Sequence, residues 1–261
     1  MRVAFWNTHN NPGINLIITK MIVEKNIDLV ILAEYASNLN QLIDYVNCQG
    51  RRYRAYFTGG CQRIRMLGSV ENVDPGPMQD YYALQIIDKN VLLCALHLNS
   101  NIYGGTADKR QHVINDIKQE INQIHNKGIY KTIIVGDFNE NPYEKNIMGI
   151  NGFNGVPIFE KAIKGYRVDS GIREELYYNP MWNFFGDFLY PMGTCYYGSN
   201  EPFWHIYDQV LISSSLLNCF CKEELEIVTK IGDVDLKNKN GVPNTECFSD
   251  HFPIIFEIKG E

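Results

Sequence analysis

The sequence predicts an α/β chain in which two β-sheets pack together and helices cover their outer faces. Three observations carry that expectation. Short apolar runs rich in Val and Ile recur without internal Gly or Pro, as expected of buried strands. Two longer stretches place apolar residues at helical spacing. Strand-like runs also outnumber helical ones, with helices between some of them, so layered sheets with helices outside are the most economical arrangement.

Residues 2–6 form the first run and stop at Asn7. A helix is predicted over about residues 14–25, with Ile14, Ile17, Ile18, Met21 and Ile22 on one face. Residues 28–33 end at Glu34, and a weaker helical pattern follows over 39–47. Residues 91–96 end at His97. The longest helix is then predicted over about 107–126, where Val113, Ile114, Ile117, Ile121 and Ile124 share a face. Residues 132–136 end at Asp137. Towards the C-terminus the order inverts: Asp208 opens the run 209–212, and Ser249-Asp250-His251 precedes 253–258. Residues 146–202 are rich in Gly, Asn and aromatics and are expected as a long irregular stretch, uncommon unless functional. Residues 237–244, with Asn240-Gly241, predict a hairpin turn or surface loop. With no internal repeat, low-complexity tract or linker, residues 1–261 are expected to form a single domain.

Composition narrows the function classes. At 45% hydrophobic and 21% charged residues, the chain is neither disordered, collagenous nor coiled-coil. A net charge of −6 argues against a histone-like grip on nucleic acid. It leaves room for a nucleic-acid enzyme with a local basic strip or a bound metal. No apolar run approaches a membrane span, and the opening residues are too short an apolar stretch for a secretory signal, so no membrane insertion is expected. The 7 cysteines are scattered and form no C-x-x-C pair, which indicates neither a disulfide framework nor a zinc site. Cys94 reads as core packing. A reducing, cytoplasmic compartment is expected.

The polar residues at the strand ends carry the chemistry. Val135-Gly136-Asp137-Phe138-Asn139 brings a carboxylate and then an amide to the same side, able to accept a proton from a water and to hold it or a phosphate. Asp and Asn also favour simple turns. Glu34, at the mouth of a buried run, suits a hard cation such as Mg2+, and Asn7 has the matching position on the first run. His97 could stabilise or protonate a phosphate oxygen. Asp250 and His251 lie together before the last strand, and Asp208 could supply the carboxylate that orients an imidazole. Each residue alone is ordinary. The set, with acids, amides and two imidazoles all at strand ends, points to metal-assisted hydrolysis of a phosphate ester.

Trp6-Asn7, Leu32-Ala33-Glu34, His97-Leu98, Gly136-Asp137-Phe138-Asn139, Tyr207-Asp208 and Ser249-Asp250-His251 stand in the order and approximate spacing of the endonuclease/exonuclease/phosphatase superfamily, which the chain resembles along essentially its whole length. The resemblance implies a four-layer α/β sandwich of two mixed sheets with outer helices. It implies Glu34 as the principal Mg2+ ligand, with Asn7 and Asp250 on the metal side and Mn2+ or Ca2+ as substitutes. Asp137 would activate the water, and Asn139 would hold it or a phosphate oxygen. His251, oriented by Asp208, would contact the scissile phosphate. His97, followed by Arg110 and Gln111, looks like the histidine-bearing branch rather than the tyrosine-bearing one. Gln209 stands where the family often has a basic or other polar residue.

Substrate choice is less legible. Residues 51–65 contain Arg51, Arg52, Arg54, Arg63 and Arg65 with Tyr53, Tyr56 and Phe57 and no acid, a pattern that suits a nucleic-acid backbone. A solvated strand-loop-strand edge has the same composition. Tyr178, Trp182 and Tyr196 belong to an aromatic-dense segment that could stack bases, form a lip for lipid, or pack on itself. Three functions follow: a Mg2+-dependent nuclease on DNA or RNA, a phosphoesterase for a small or lipid substrate, and a non-catalytic binding protein. The non-catalytic reading is disfavoured because every catalytic position holds competent chemistry, and a lipid substrate is weakened by the missing signal peptide and amphipathic anchor, so the nuclease leads. Nucleic acid is the expected partner, and the sequence names no protein partner.

Overall fold

An apolar run with no polar alternation needs cover on both faces, and the chain provides it with two stacked sheets. The computed structural model describes residues 1–100, 107–197 and 203–260. The first sheet begins with β1 (Arg2–Asn7), β2 (Leu29–Ala33), β3 (Arg54–Tyr56) and β4 (Ile64–Gly68). The second begins with β5 (Val73–Gln79), β6 (Tyr82–Ile87), β7 (Val91–His97), β8 (Lys131–Asp137) and β9 (Gly155–Val156). A hairpin of β10 (Tyr166–Asp169) and β11 (Ile172–Glu175) stands apart, before β12 (Tyr177–Tyr178). A ribbon of β13 (Cys195–Tyr197) and β14 (Phe203–His205) leads to β15 (Asp208–Ser213). Then come β16 (Phe220–Ile227), the short pair β17 (Lys230–Ile231) and β18 (Val234–Asp235), and β19 (Ile254–Ile258). The first sheet has the order β16-β19-β1-β2-β4-β3 and the second β5-β6-β7-β8-β15-β12-β9. Both are mixed: β1 with β2 and β7 with β8 are parallel, while β1 with β19 and β8 with β15 are antiparallel.

The pleat sorts the core. Leu93 and Ala95 of β7, Ile133 and Val135 of β8, and Val210 and Ile212 of β15 join the strands of the first sheet in one cluster. The alternate residues Leu92, Cys94, Leu96, Ile134 and Leu211 meet Ile114, Ile117, Ile121 and Ile124 on α3 (Ala107–His125), the third long helix of the chain. The two helices before it, α1 (Asn15–Glu24) and α2 (Leu39–Cys48), cover the first sheet, with Ile14, Ile17, Ile18, Met21 and Ile22 buried. Each such side chain contributes roughly 1.5–3 kcal/mol. The result is the four-layer α/β sandwich. Among the described residues, no helix is long and apolar enough to cross a membrane.

The inverted order near the C-terminus reflects strand direction. β1, β2, β7 and β8 run towards one end of the sandwich and deliver their last residues there. β15 and β19 run the other way and deliver the residues at their starts. The expected irregular stretch 146–202 is more structured than its composition predicts. Alongside α4 (Lys145–Met148) and α5 (Phe159–Ala162) it contributes β9 and β12 to the second sheet, because Tyr177 and Tyr178 pair with Ser213 and Ile212 of β15. Its last residues, 198–202, lie outside the described ones. The turn around Asn240-Gly241 closes with the Asn238 N–H donating to the Val242 carbonyl at 2.8 Å, and Gly241 adopts φ 81°.

Candidate active site

Register brings the predicted residues together. His97 pairs with Asp137 across β7 and β8, and Asp137 pairs with Asp208 across β8 and β15, so the three stand in one row at the end of the second sheet. From the first sheet, Asn7 ends β1 beside Ala33, with Glu34 next in the chain. Asp250 and His251 enter just before β19. The Trp6 indole N–H holds the His251 carbonyl at 2.9 Å, and the Ser249 hydroxyl holds the Asn7 carbonyl at 2.7 Å. Gly136 is required by proximity: a Cβ there would sit 1.9 Å from the Leu96 carbonyl oxygen.

These ends surround a cleft of about 810 Å³ whose lining includes Asn7, Glu34, His97, Asp137, Asn139, Asp250 and His251. His251 Nδ1 and Asp208 Oδ2 are 2.7 Å apart, and Asp208 lies buried behind the imidazole. Burial opposes charge on His251, but the carboxylates of Asp208, Asp250 and Asp137 outweigh it and hold the imidazole well above its ordinary range. The Asn7 amide donates to Asp137 Oδ2 at 3.0 Å and to Glu34 Oε1 at 3.4 Å, linking the two acids. His97 Nε2 lies 3.5 Å from Glu34 Oε1 and 3.8 Å from Asp137 Oδ2, and burial pushes its pKa down against the pull of both acids. Asn139 donates its backbone N–H to Asp137 Oδ1 at 2.8 Å and its side-chain amide to the Leu98 carbonyl at 2.9 Å, so it fixes the carboxylate as well as lining the cleft. Glu34 and Asn139 adopt φ 47° and 50°. Such left-handed residues cost on the order of 1–3 kcal/mol each and cluster at functional sites.

The donor set suits a hard dication. Glu34, Asp137 and Asp250 line one cleft, while Asp208 Oδ1 and His97 Nδ1 are buried without hydrogen-bond partners. Among the described residues, Asp137, Asp208 and His251 bring ligand atoms within 4.8 Å of one another. Within that group His251 Nδ1 and Asp208 Oδ2 are already engaged with each other. Glu34 and Asp250, with side chains 30% and 22% exposed, are open to a hydrated ion.

The expected substrate residues divide. Arg63 lines the cleft with its guanidinium 4.4 Å from the Tyr81 ring centroid. Arg52 is exposed and absent from the lining. Arg54 donates to the Glu71 carbonyl in the connection between β4 and β5, and Arg65 to the carbonyls of Cys61, Gln62 and Ile64 in its own turn, so both guanidiniums are taken up by backbone oxygens and neither lines the cleft. Tyr178 is buried between Phe159 and Phe220, Trp182 packs with Tyr143 and Phe185, and Tyr196 packs on Trp204; none of the three lines the cleft. Tyr197, the next residue on the ribbon, does.

Sequence reasoning missed His9, Asn10, Tyr81 and Lys109, all of which line the cleft. His9 Nδ1 is 3.2 Å from Asp250 Oδ1, and the Asn10 amide donates to Glu34 Oε2 at 2.9 Å. The Asn-rich turn directly after β1 was a usable signal for these two. Tyr81 and Lys109 carry no local signal; pairing across the sheet and the start of α3 bring them in.

No protein-family model matches the chain, and no curated protein does. Solved structures do match. They include truncated TDP2 from Caenorhabditis elegans, at TM-score 0.55 and 19% identity over 99% of this chain and 97% of that one. An AP endonuclease from Archaeoglobus fulgidus matches at TM-score 0.57 and 12% identity over 100% of both chains. The 3'-5' exonuclease NExo from Neisseria meningitidis matches at TM-score 0.58 and 12% identity, again over 100% of both. The chain therefore has the deoxyribonuclease I-like fold of the endonuclease/exonuclease/phosphatase superfamily.

Proposed function

We propose that the chain is a metal-dependent phosphodiesterase that hydrolyses nucleic acid. The observation that carries this reading is the convergence of the His251–Asp208 pair with Glu34, Asp137 and His97 on one cleft, from the ends of two different sheets. The names of two structural relatives, an AP endonuclease and a 3'-5' exonuclease, agree with it.

Glu34, with Asn7 and Asp250, would hold Mg2+, with Mn2+ or Ca2+ as substitutes. When bound, the ion supplies neutralisation of charge on the phosphoryl oxygens. Asp137, its carboxylate pinned by Asn139 and Asn7, accepts the proton of the attacking water. His251, held charged by the carboxylates around it, presents Nε2 to a phosphoryl oxygen while Asp208 fixes the ring through Nδ1. His97 lies between Glu34 and Asp137 and donates to a second oxygen. Arg63 and Lys109 line the same cleft and supply cationic contacts to flanking phosphates.

One observation favours a second reading, a phosphoesterase for a small or lipid substrate: Arg54 and Arg65 donate to backbone carbonyls, so the basic strip does not extend the cleft. Nicking of supercoiled plasmid, with Mg2+ against EDTA and His251→Ala as the control, tests the first reading. Metal-dependent nicking that the variant loses supports it. No cleavage of plasmid or RNA, with turnover of bis(4-nitrophenyl) phosphate, would move the assignment to the second.

A further inference from the structure

We propose that Arg110 and Glu140 are positioning residues: a buried ion pair that holds the strand-end loops carrying His97, Asp137 and Asp208 in fixed relation beneath the cleft. The inference rests on reading that cleft as the hydrolytic site. Arg110 Nε and Glu140 Oε1 are 2.6 Å apart, with side chains 2% and 3% exposed, and neither residue lines the cleft. Several of the bonds around them tie down segments that carry site residues. Arg110 Nη1 donates to the Asn99 carbonyl at 2.9 Å, two residues past His97. Glu140 directly follows Asn139, whose amide holds the Leu98 carbonyl at 2.9 Å, so the His97 loop is tied from two sides. The Gln209 side chain, next to Asp208, donates to the Glu140 carbonyl at 2.5 Å and accepts from the Asn179 amide at 2.8 Å. Asn146 adds a second bond to Glu140 Oε1, donating at 2.6 Å.

Stability alone does not account for the pair. A buried ion pair roughly breaks even against an apolar pair of the same shape, and here Glu140 Oε2 is buried without a partner. What the pair provides is direction: a guanidinium forks between a carboxylate and a carbonyl, which a point charge or an apolar side chain cannot reproduce. Small misplacements of reacting groups lower turnover steeply.

The test replaces the pair by Arg110→Met with Glu140→Leu, alongside Arg110→Lys. The double variant is expected to stay folded, to lose roughly tenfold or more of kcat on bis(4-nitrophenyl) phosphate at nearly unchanged KM, and to exchange backbone hydrogens faster in 97–100 and 137–141. Arg110→Lys should fall between it and wild type. A folded double variant with wild-type exchange in both segments overturns the proposal, and so does an undiminished kcat. Faster exchange in a protein whose wild type hydrolyses no phosphoester would leave the positioning role standing and remove the hydrolytic reading. Should the double variant not fold, Glu140→Gln, which keeps the shape and loses the charge, is judged by the same exchange measurement.

Discussion

The two walls of the cleft differ in how they hold charge. On the second-sheet wall, Asp137 and Asp208 are 1% and 0% exposed, and His251, which arrives from the first sheet, closes against them at 4%. On the first-sheet wall, the side chains of Glu34, Asp250 and His9 are 30%, 22% and 49% exposed. The buried wall fixes charges whose partners are settled in advance, as proton transfer and transition-state stabilisation require. The open wall leaves room for a cation that keeps several waters. On the proposed reading, one site would separate preorganised proton chemistry from exchangeable metal chemistry.

Breaking the buried wall should have the largest effect. His251→Ala is expected to lower kcat by roughly 10²–10⁴-fold with little change in thermal stability, and Asp208→Asn should follow it because the imidazole loses its orienting charge. Single-turnover rates on a phosphodiester probe check this; wild-type turnover in either variant would remove the dyad from the mechanism. On the open wall, Glu34→Gln should act through the metal. The Mg2+ concentration for half-maximal activity is expected to rise roughly tenfold or more, read from a metal titration, with much of kcat recovered at saturation.

The rim should respond less. Arg63→Ala is expected to raise KM several-fold and flatten the salt dependence by about one phosphate contact. Arg52→Ala should change neither; equal effects of the two would show that the strip acts as a whole.

The smallest effect sharpens the contrast from outside the cleft. Glu175 is half-buried, its side chain 26% exposed where Asp208 has none, and its near partners are the Tyr177 hydroxyl at 2.7 Å and His125 at 3.5 Å, whose own pKa burial lowers. Burial pushes Glu175 up to about 7 from 4.5. The folded state therefore binds this proton more tightly than the unfolded chain, and stability falls as pH rises between those two values. Glu175→Gln should raise stability at pH 8 by on the order of 1–2 kcal/mol and leave it unchanged near pH 4, as measured by denaturant melts. A variant no more stable than wild type at pH 8 would mean that the carboxylate is better solvated than its burial implies.

Much of this arrangement was legible in the chain because strands buried on both faces are mostly apolar and carry few polar residues before their ends. The breaks at Asn7, Glu34, His97 and Asp137, and the openings at Asp208 and His251, therefore marked one end of the sandwich before any fold was known. The helices were equally legible from Ile14 to Ile22 and Ile114 to Ile124, since each needs a single apolar stripe. Short-range pattern and burial determine such features. What the tertiary structure alone decided depends on pairing between distant segments. Cross-strand register put Tyr81 opposite His97, where its carbonyl receives the His97 N–H at 2.9 Å. Packing of α3 brought Lys109 to the rim and Arg110 to Glu140. Local carbonyls drew Arg54 and Arg65 away from the cleft and left Arg63 in it. Composition could not separate those arginines, because a guanidinium bonds whichever oxygens the fold brings within reach.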